Sequence, residues 1–164
     1  MKKIFKLSFV LILSLIMQQA RSQEIPVWKL KDLKTAMQSD KPTILNFWAT
    51  FCKPCIEEMP HFQEMAKKYK DRGVELIFVS LDMKEMYPKK IQAFLTKRKV
   101  ADKVVFLDET DADLFCPAVS EKWSGAIPAT IFINNKKGYS KFFEEQLTKE
   151  QLEREIKSLL GTQK

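Results

Sequence analysis

"NFWATFCKPCIEEMP", residues 46–60, joins the end of an apolar run to the start of a charged, helix-forming stretch, with Cys52 and Cys55 at the junction. Upstream, residues 43–49 (TILNFWA) are β-rich, of strand length and bounded by Pro42, which predicts a buried strand. Downstream, Ile56, Met59, Phe62, Met65, Ala66 and Tyr69 recur at three- and four-residue intervals. That spacing predicts a helix with one buried face, stopping near Gly73. The two cysteines therefore fall where a strand turns into a helix.

Working outward, residues 74–81 (VELIFVSL) and 104–107 (VVFL) read as further buried strands. Pro88 is placed to open a helix buried through Ile91, Phe94 and Leu95, and a helical piece is expected to run to Trp123. Residues 129–133 (ATIFI), the turn NNKKG and residues 139–143 (YSKFF) predict a hairpin. The last helix has the clearest start: Thr148 and Gln151 match a capping box, Leu147 and Leu152 a hydrophobic staple. Leu152, Ile156, Leu159 and Leu160 then supply an apolar stripe before Gly161. Strands alternating with helices and closing in a hairpin predict an α/β fold, a mixed central sheet flanked by helices on both faces. Ligand chemistry in such folds gathers at the carboxyl ends of the parallel strands, where Cys52 and Cys55 stand.

The chain of 164 residues, 45% apolar and 30% charged, suits one globular domain. Its first residues, MKKIFKLSFVLILSLIMQQARSQ, combine a basic start, an apolar stretch over residues 7–17 and small residues at Ala20 and Ser22. They read as a secretory signal over residues 1–22, cleaved near Ser22, leaving a domain over 23–164. The apolar stretch falls short of the roughly 20 residues that span a bilayer, and no cysteine near the cleavage point offers a lipid anchor. No stable membrane insertion is expected after cleavage. Without Lys2, Lys3, Lys6 and Arg21, 24 of the 28 basic residues remain against 21 acidic ones, a net of +3. The lysines are interleaved with acids, as on solvated faces, and no nucleic-acid partner is expected.

Three cysteines are too few for a disulfide scaffold, and a staple closing so short a loop adds little stability. Redox chemistry explains the pair better. A cysteine at the first turn of a helix faces free N–H groups and the positive end of the helix dipole, which favours thiolate. Lys53 adds positive charge. Such thiols fall from about 8.5 to roughly 3.5–7.5, so Cys52 is expected to be the nucleophile. Cys55, one turn further in, is expected to stay protonated and to resolve the mixed disulfide. Glu58, three residues later on the same face, suits the proton acceptor that this step needs, because a carboxyl shielded from water has a raised pKa. Its bland alternative, and the expectation for Glu57, is a solvated first-turn acid. Pro60 should bend the helix.

The residues of 46–60 resemble the active-site segment of the thioredoxin superfamily, in particular its TlpA/ResA-like extracytoplasmic thiol-disulfide oxidoreductases. The likeness rests on Phe47-Trp48-Ala49, Cys52-x-Pro54-Cys55, the acid Glu58 and Pro60, with Asn46 where thioredoxins proper carry a buried Asp. A second match is GAIPAT, in which Pro128 stands where the family has its cis-proline, preceded by Ile127. The resemblance implies a thioredoxin-like fold, with residues 85–107 as the helix and strand of a TlpA-type insertion. It also implies a redox-active Cys52–Cys55 disulfide and a substrate face built from Ile127, Pro128, Trp48 and Phe51, with Lys53 and Pro54 tuning the site. It further implies disulfide-bearing protein substrates, cytochrome c maturation among the processes served, a membrane electron donor, and no cofactor or metal. Pro54 and Ile127 resemble reducing members, whereas Lys53 pushes towards oxidation; a reductant is expected.

The departures are Phe51 for the usual tryptophan, Glu145 where relatives have a glycine by the groove, and Cys116, which is outside the motif. Cys116 reads as a buried free thiol, with a third redox partner or an intermolecular link as the sharper alternative on the odd cysteine count. Trp28, Trp123 and most phenylalanines read as core. Two other functions stay open. One is a chaperone for a soft ion such as Cu(I) through Cys52, Cys55 and His61, although zinc needs four ligands and His61 reads as a boundary residue. The other is a non-catalytic interaction module.

Overall fold

Side chains alternating across each strand give the sheet two apolar faces, and both are covered. In the computed structural model, which describes residues 24–162, the chain runs in this order: β1 (Val27–Trp28), α1 (Leu30–Met37), β2 (Thr43–Trp48), α2 (Lys53–Lys68), β3 (Glu75–Ser80), α3 (Lys89–Arg98), β4 (Lys103–Leu107), α4 (Ala112–Val119), β5 (Ala129–Asn134), β6 (Tyr139–Phe143), α5 (Lys149–Leu159). The expected leader over residues 1–22 lies outside the described residues. Among the described residues, no helix is long and apolar enough to cross a membrane.

The sheet order is β1-β4-β3-β2-β5-β6. β2 and β5, buried at every position, both lie inside the sheet with a strand on either side, as unbroken apolar runs should. β2 pairs parallel with β3, from Thr43↔Glu75 to Trp48↔Ser80, and antiparallel with β5, where Asn46 faces Thr130. β5 and β6 form the expected hairpin. α3 and β4 form as the expected insertion, and β4 lies between β3 and β1.

One sheet face packs Ile44, Trp48, Phe78, Val104 and Phe132 against Cys55, Met59 and Phe62 of α2, Ile91 of α3, and Leu152 and Ile156 of α5. The other packs Leu45, Phe47, Ile77, Val105 and Ile131 against Leu33 of α1 and Phe115 and Val119 of α4. Burying each such large side chain contributes about 1.5–3 kcal/mol. The capping box forms as expected: Gln151 N–H donates to Thr148 Oγ1 at 3.2 Å and Thr148 N–H to Gln151 Oε1 at 2.8 Å. Leu147 and Leu152 are both buried beside it.

Three expectations change in detail. α2 ends at Lys68, and a 3-10 turn over Lys70–Arg72 carries the chain to Gly73, whose φ of 77° closes the turn. α4 ends at Val119, short of Trp123, because Ser120 takes extended geometry. Trp28 is only half-buried on the edge strand. β1 and α1 were not foreseen. α1 starts without a favoured capping side chain at Lys29, whose backbone N–H donates to Asp32 instead (2.9 Å).

Candidate active site

α2 begins at its own redox group. Cys52 is the N-cap residue, and its sulfur accepts the Cys55 N–H at 3.3 Å. This is one of the free amides that a helix start presents. Pro54 fits the first turn, where its missing N–H is no loss. Cys52 and Cys55 form a disulfide, 2.00 Å between sulfurs. The pair is unequal in access: Cys52 is 7% exposed and Cys55 wholly enclosed.

Below Cys55 lies Glu58, with none of its surface exposed. Its Oε1 accepts from Asn46 Nδ2 (2.9 Å) and its Oε2 from Leu147 N–H (2.8 Å). Burial, opposed by those two donors, pushes its pKa from the ordinary 4.5 up to about 7. The solvated-acid alternative is thereby overturned for Glu58. It holds for Glu57, which is exposed and pairs with Lys53 at 3.8 Å. Asn46 Nδ2 also donates to Thr130 Oγ1 (3.0 Å), while Asn46 Oδ1 is buried with no partner.

Beside this column runs the loop into β5. The Ile127–Pro128 bond is cis, as the motif led one to expect. Register puts Pro128 one step beyond the Phe47↔Ala129 pair, level with the end of β2. Pro128 is buried and Ile127 half-buried. Trp123, set among Phe47, Phe115 and Phe142 at centroid distances of 4.6–5.8 Å, donates from Nε1 to Ala126 O (2.8 Å). Glu144 accepts from Ser124 N–H and Ala126 N–H, both at 3.0 Å, and from the Ser124 hydroxyl. Burial works against this carboxylate, yet those donors hold its pKa below the usual range. The departure noted at Glu145 therefore matters less than its neighbour: Glu145 is exposed, and Glu144 fastens the loop.

Two expected contact residues part company. Phe51 is 65% exposed, next to Cys52. Trp48 is entirely enclosed and packs on Phe94, 5.2 Å between centroids. In this disulfide form Trp48 offers no surface to a docked protein and instead supports the turn from beneath. Thr50, before Phe51, is clasped by buried Asp82: its N–H donates to Oδ1 (3.0 Å) and its hydroxyl to the same oxygen (2.5 Å). Met83, which follows Asp82 in the chain, is 63% exposed. Sequence reasoning missed Asp82, Met83 and Glu144. Lys53 is 87% exposed along its side chain and turned to Glu57, so its charge is largely spent in solvent.

Cys116 is a buried free thiol, packed on the sheet face opposite the disulfide. Burial, then Glu144 and Asp113, push its thiol up to about 11. The buried free thiol expected from the sequence is what the structure holds. Among the described residues, no group of three or more His, Cys, Asp or Glu side chains converges as a metal site. His61 is half-buried beside residues 146–150.

A disulfide at a helix entrance, on a sheet of this order and beside a cis-proline loop, defines a thioredoxin-like protein. The AhpC/TSA family model matches residues 16–138, and the chain belongs to that family, within the thioredoxin superfamily. It is 34% identical over 131 residues to the thiol-disulfide oxidoreductase ResA of Oceanobacillus iheyensis, covering 74% of this chain and 60% of that one. To ResA of Bacillus cereus it is 36% identical over 127 residues, 76% and 64% of the two chains. The chain thus spans somewhat under two thirds of the length of these relatives. Among solved structures, StoA from Bacillus subtilis matches with a TM-score of 0.56 at 26% identity, over 71% of this chain and 83% of that one. A thioredoxin-related protein from Neisseria meningitidis serogroup B shares the fold, with a TM-score of 0.63 at 22% identity over 88% and 92%.

Proposed function

We propose that the protein is an exported thiol-disulfide oxidoreductase that reduces disulfides of other proteins through Cys52 and Cys55. The observation that carries this is the enclosed Glu58 carboxyl, poised near neutrality on the same helix face as the enclosed Cys55. In the dithiol form, the Cys52 thiolate attacks a substrate disulfide. One substrate sulfur leaves as thiolate and takes a proton from solvent, and a mixed disulfide forms at Cys52. Glu58 then takes the Cys55 proton. The Cys55 thiolate attacks Cys52 Sγ, the second substrate sulfur leaves with the bonding electrons, and Glu58 can return the proton to it. The substrate disulfide is reduced and the Cys52–Cys55 pair oxidised.

Phe51, Met83 and the half-buried Ile127 are the rim on which a substrate chain rests, with the buried Pro128 fixing the turn of the chain next to Ile127. The reducing direction is favoured by Pro54 and Ile127 and by the solvent-facing Lys53, which gives the thiolate little extra stabilisation. Export rests on the leader-like residues 1–22. A reductant outside the cytoplasm needs recharging, for which a membrane thiol donor is the fitting source, and cytochrome c maturation is a process that such a reductant serves. Trapping tests the reading: Cys55→Ser should strand substrates as mixed disulfides at Cys52, and Cys52→Ala should trap none and reduce no insulin. Equal trapping by the two variants refutes it.

A further inference from the structure

We infer that Asn46 is a positioning residue whose side-chain amide inverts whenever Glu58 gains or loses its proton. The inference rests on the proposed role of Glu58 and concerns what lets that buried group change charge.

In the structure both carboxylate oxygens face donors, Asn46 Nδ2 at 2.9 Å and Leu147 N–H at 2.8 Å. This arrangement suits the anion alone. Once protonated, Glu58 carries an O–H that needs an acceptor, yet it points at two N–H groups. Leu147 is main chain and cannot change sign. Asn46 can, because an amide presents a donor on one side and an acceptor on the other, and its acceptor, Oδ1, is buried and idle. Thr130 completes the set: its hydroxyl accepts from Asn46 Nδ2 at 3.0 Å and donates to nothing among the described residues. A half-turn about the Asn46 Cβ–Cγ bond places Oδ1 where Nδ2 stood. It then accepts from the Glu58 O–H and the Thr130 O–H together, while Leu147 keeps its bond to the other Glu58 oxygen. Each protonation state thus leaves one amide atom of Asn46 unpaired, in place of two donors forced together.

Few other charges face this spot. β2 and β5 contribute no ionisable side chain, and Cys55 is closed in the disulfide. His61, three residues on along α2, stands with Lys149 and Glu150 at a cleft beside Leu147. The unpaired Oδ1 beside a group that titrates near neutrality is the signature of a partner serving two states.

The test is a nuclear magnetic resonance titration of the oxidised protein, labelled with nitrogen-15 and carbon-13. The Glu58 carboxyl carbon and the Asn46 Nδ2 protons are expected to move with one midpoint. A hydrogen-bond coupling from Asn46 Nδ2 to the Glu58 carboxyl carbon is expected above that midpoint and lost below it. Glu58→Gln supplies a second arm: its Nε2 imitates the acid's donor, so Asn46 should rest inverted at every pH, with no coupling to residue 58 and no titration of its own. A coupling that persists below the Glu58 midpoint, or an Asn46 signal in Glu58→Gln matching the wild type at high pH, overturns the inference. If Glu58 shows no midpoint near neutrality, the proposed role of Glu58 fails instead, so the two failures are distinct.

Discussion

Replacing Glu58 by Gln should make the oxidised protein gain stability over the wild type as pH rises, and the size of that gain follows from the burial of the group. Below about pH 4.5 the carboxyl is protonated whether the chain is folded or not. Between that value and about 7, the unfolded chain releases the proton and the folded chain keeps it. The folded state therefore binds more protons, and stability falls through this window. A gap of roughly 2.5 units, at 1.36 kcal/mol each, is about 3 kcal/mol. Glutamine has no charge to withhold, so the difference between variant and wild type should grow by about 3 kcal/mol from pH 4.5 to pH 8. Any misfit of the amide adds only a constant offset. Urea denaturation of the disulfide form at three pH values reads this directly, as a relative midpoint displacement of about 1–2 M for an ordinary urea slope. All other groups cancel in the comparison, and no active-site thiol is present to titrate. Parallel profiles would refute the reasoning, since they would mean that Glu58 ionises as a solvated acid does.

Cys116 should resist Ellman's reagent in native oxidised protein at pH 8 and give one reactive thiol on unfolding; reaction without unfolding would contradict its burial. Lys53→Ala should move the Cys52 thiol pKa of the reduced protein by less than about half a unit, measured by thiolate absorbance, and a larger rise would restore it as a tuning charge. Phe51→Ala should change stability by no more than about 0.5 kcal/mol yet raise KM for a protein disulfide roughly fivefold, the loss of about 1 kcal/mol of contact. An unchanged KM would remove Phe51 from the docking rim.

What could be read in the sequence was whatever is set locally. The six residues of β2 announce a central strand by having no polar face to expose, and Cys52, Cys55 and Glu58 follow from helical spacing alone. Pro128 was legible through its motif. The unforeseen parts depend on distant segments meeting. β1 has two residues, too few for any period, and α1 lacks a favoured cap at Lys29. The amide of Asn46 reaches Glu58 across 12 positions and Thr130 across 84, a meeting fixed by the register of β2 against β5. The resemblance put Trp48 on the substrate face, but strand alternation turns it inward onto Phe94. Glu144 and Glu145 differ only in which side of the strand end they occupy, and composition cannot tell them apart.

The segment leaving β6 is fastened at both sides of the redox centre. Glu144 grips Ser124 and Ala126 ahead of Pro128, and three residues later the Leu147 N–H holds Glu58. On the proposed function, a substrate chain resting on the adjoining Ile127 would pull on the same short tether that holds the Glu58 carboxyl, and docking would reach the proton acceptor without any domain movement. Lengthening that tether by a single residue would slacken both grips at once.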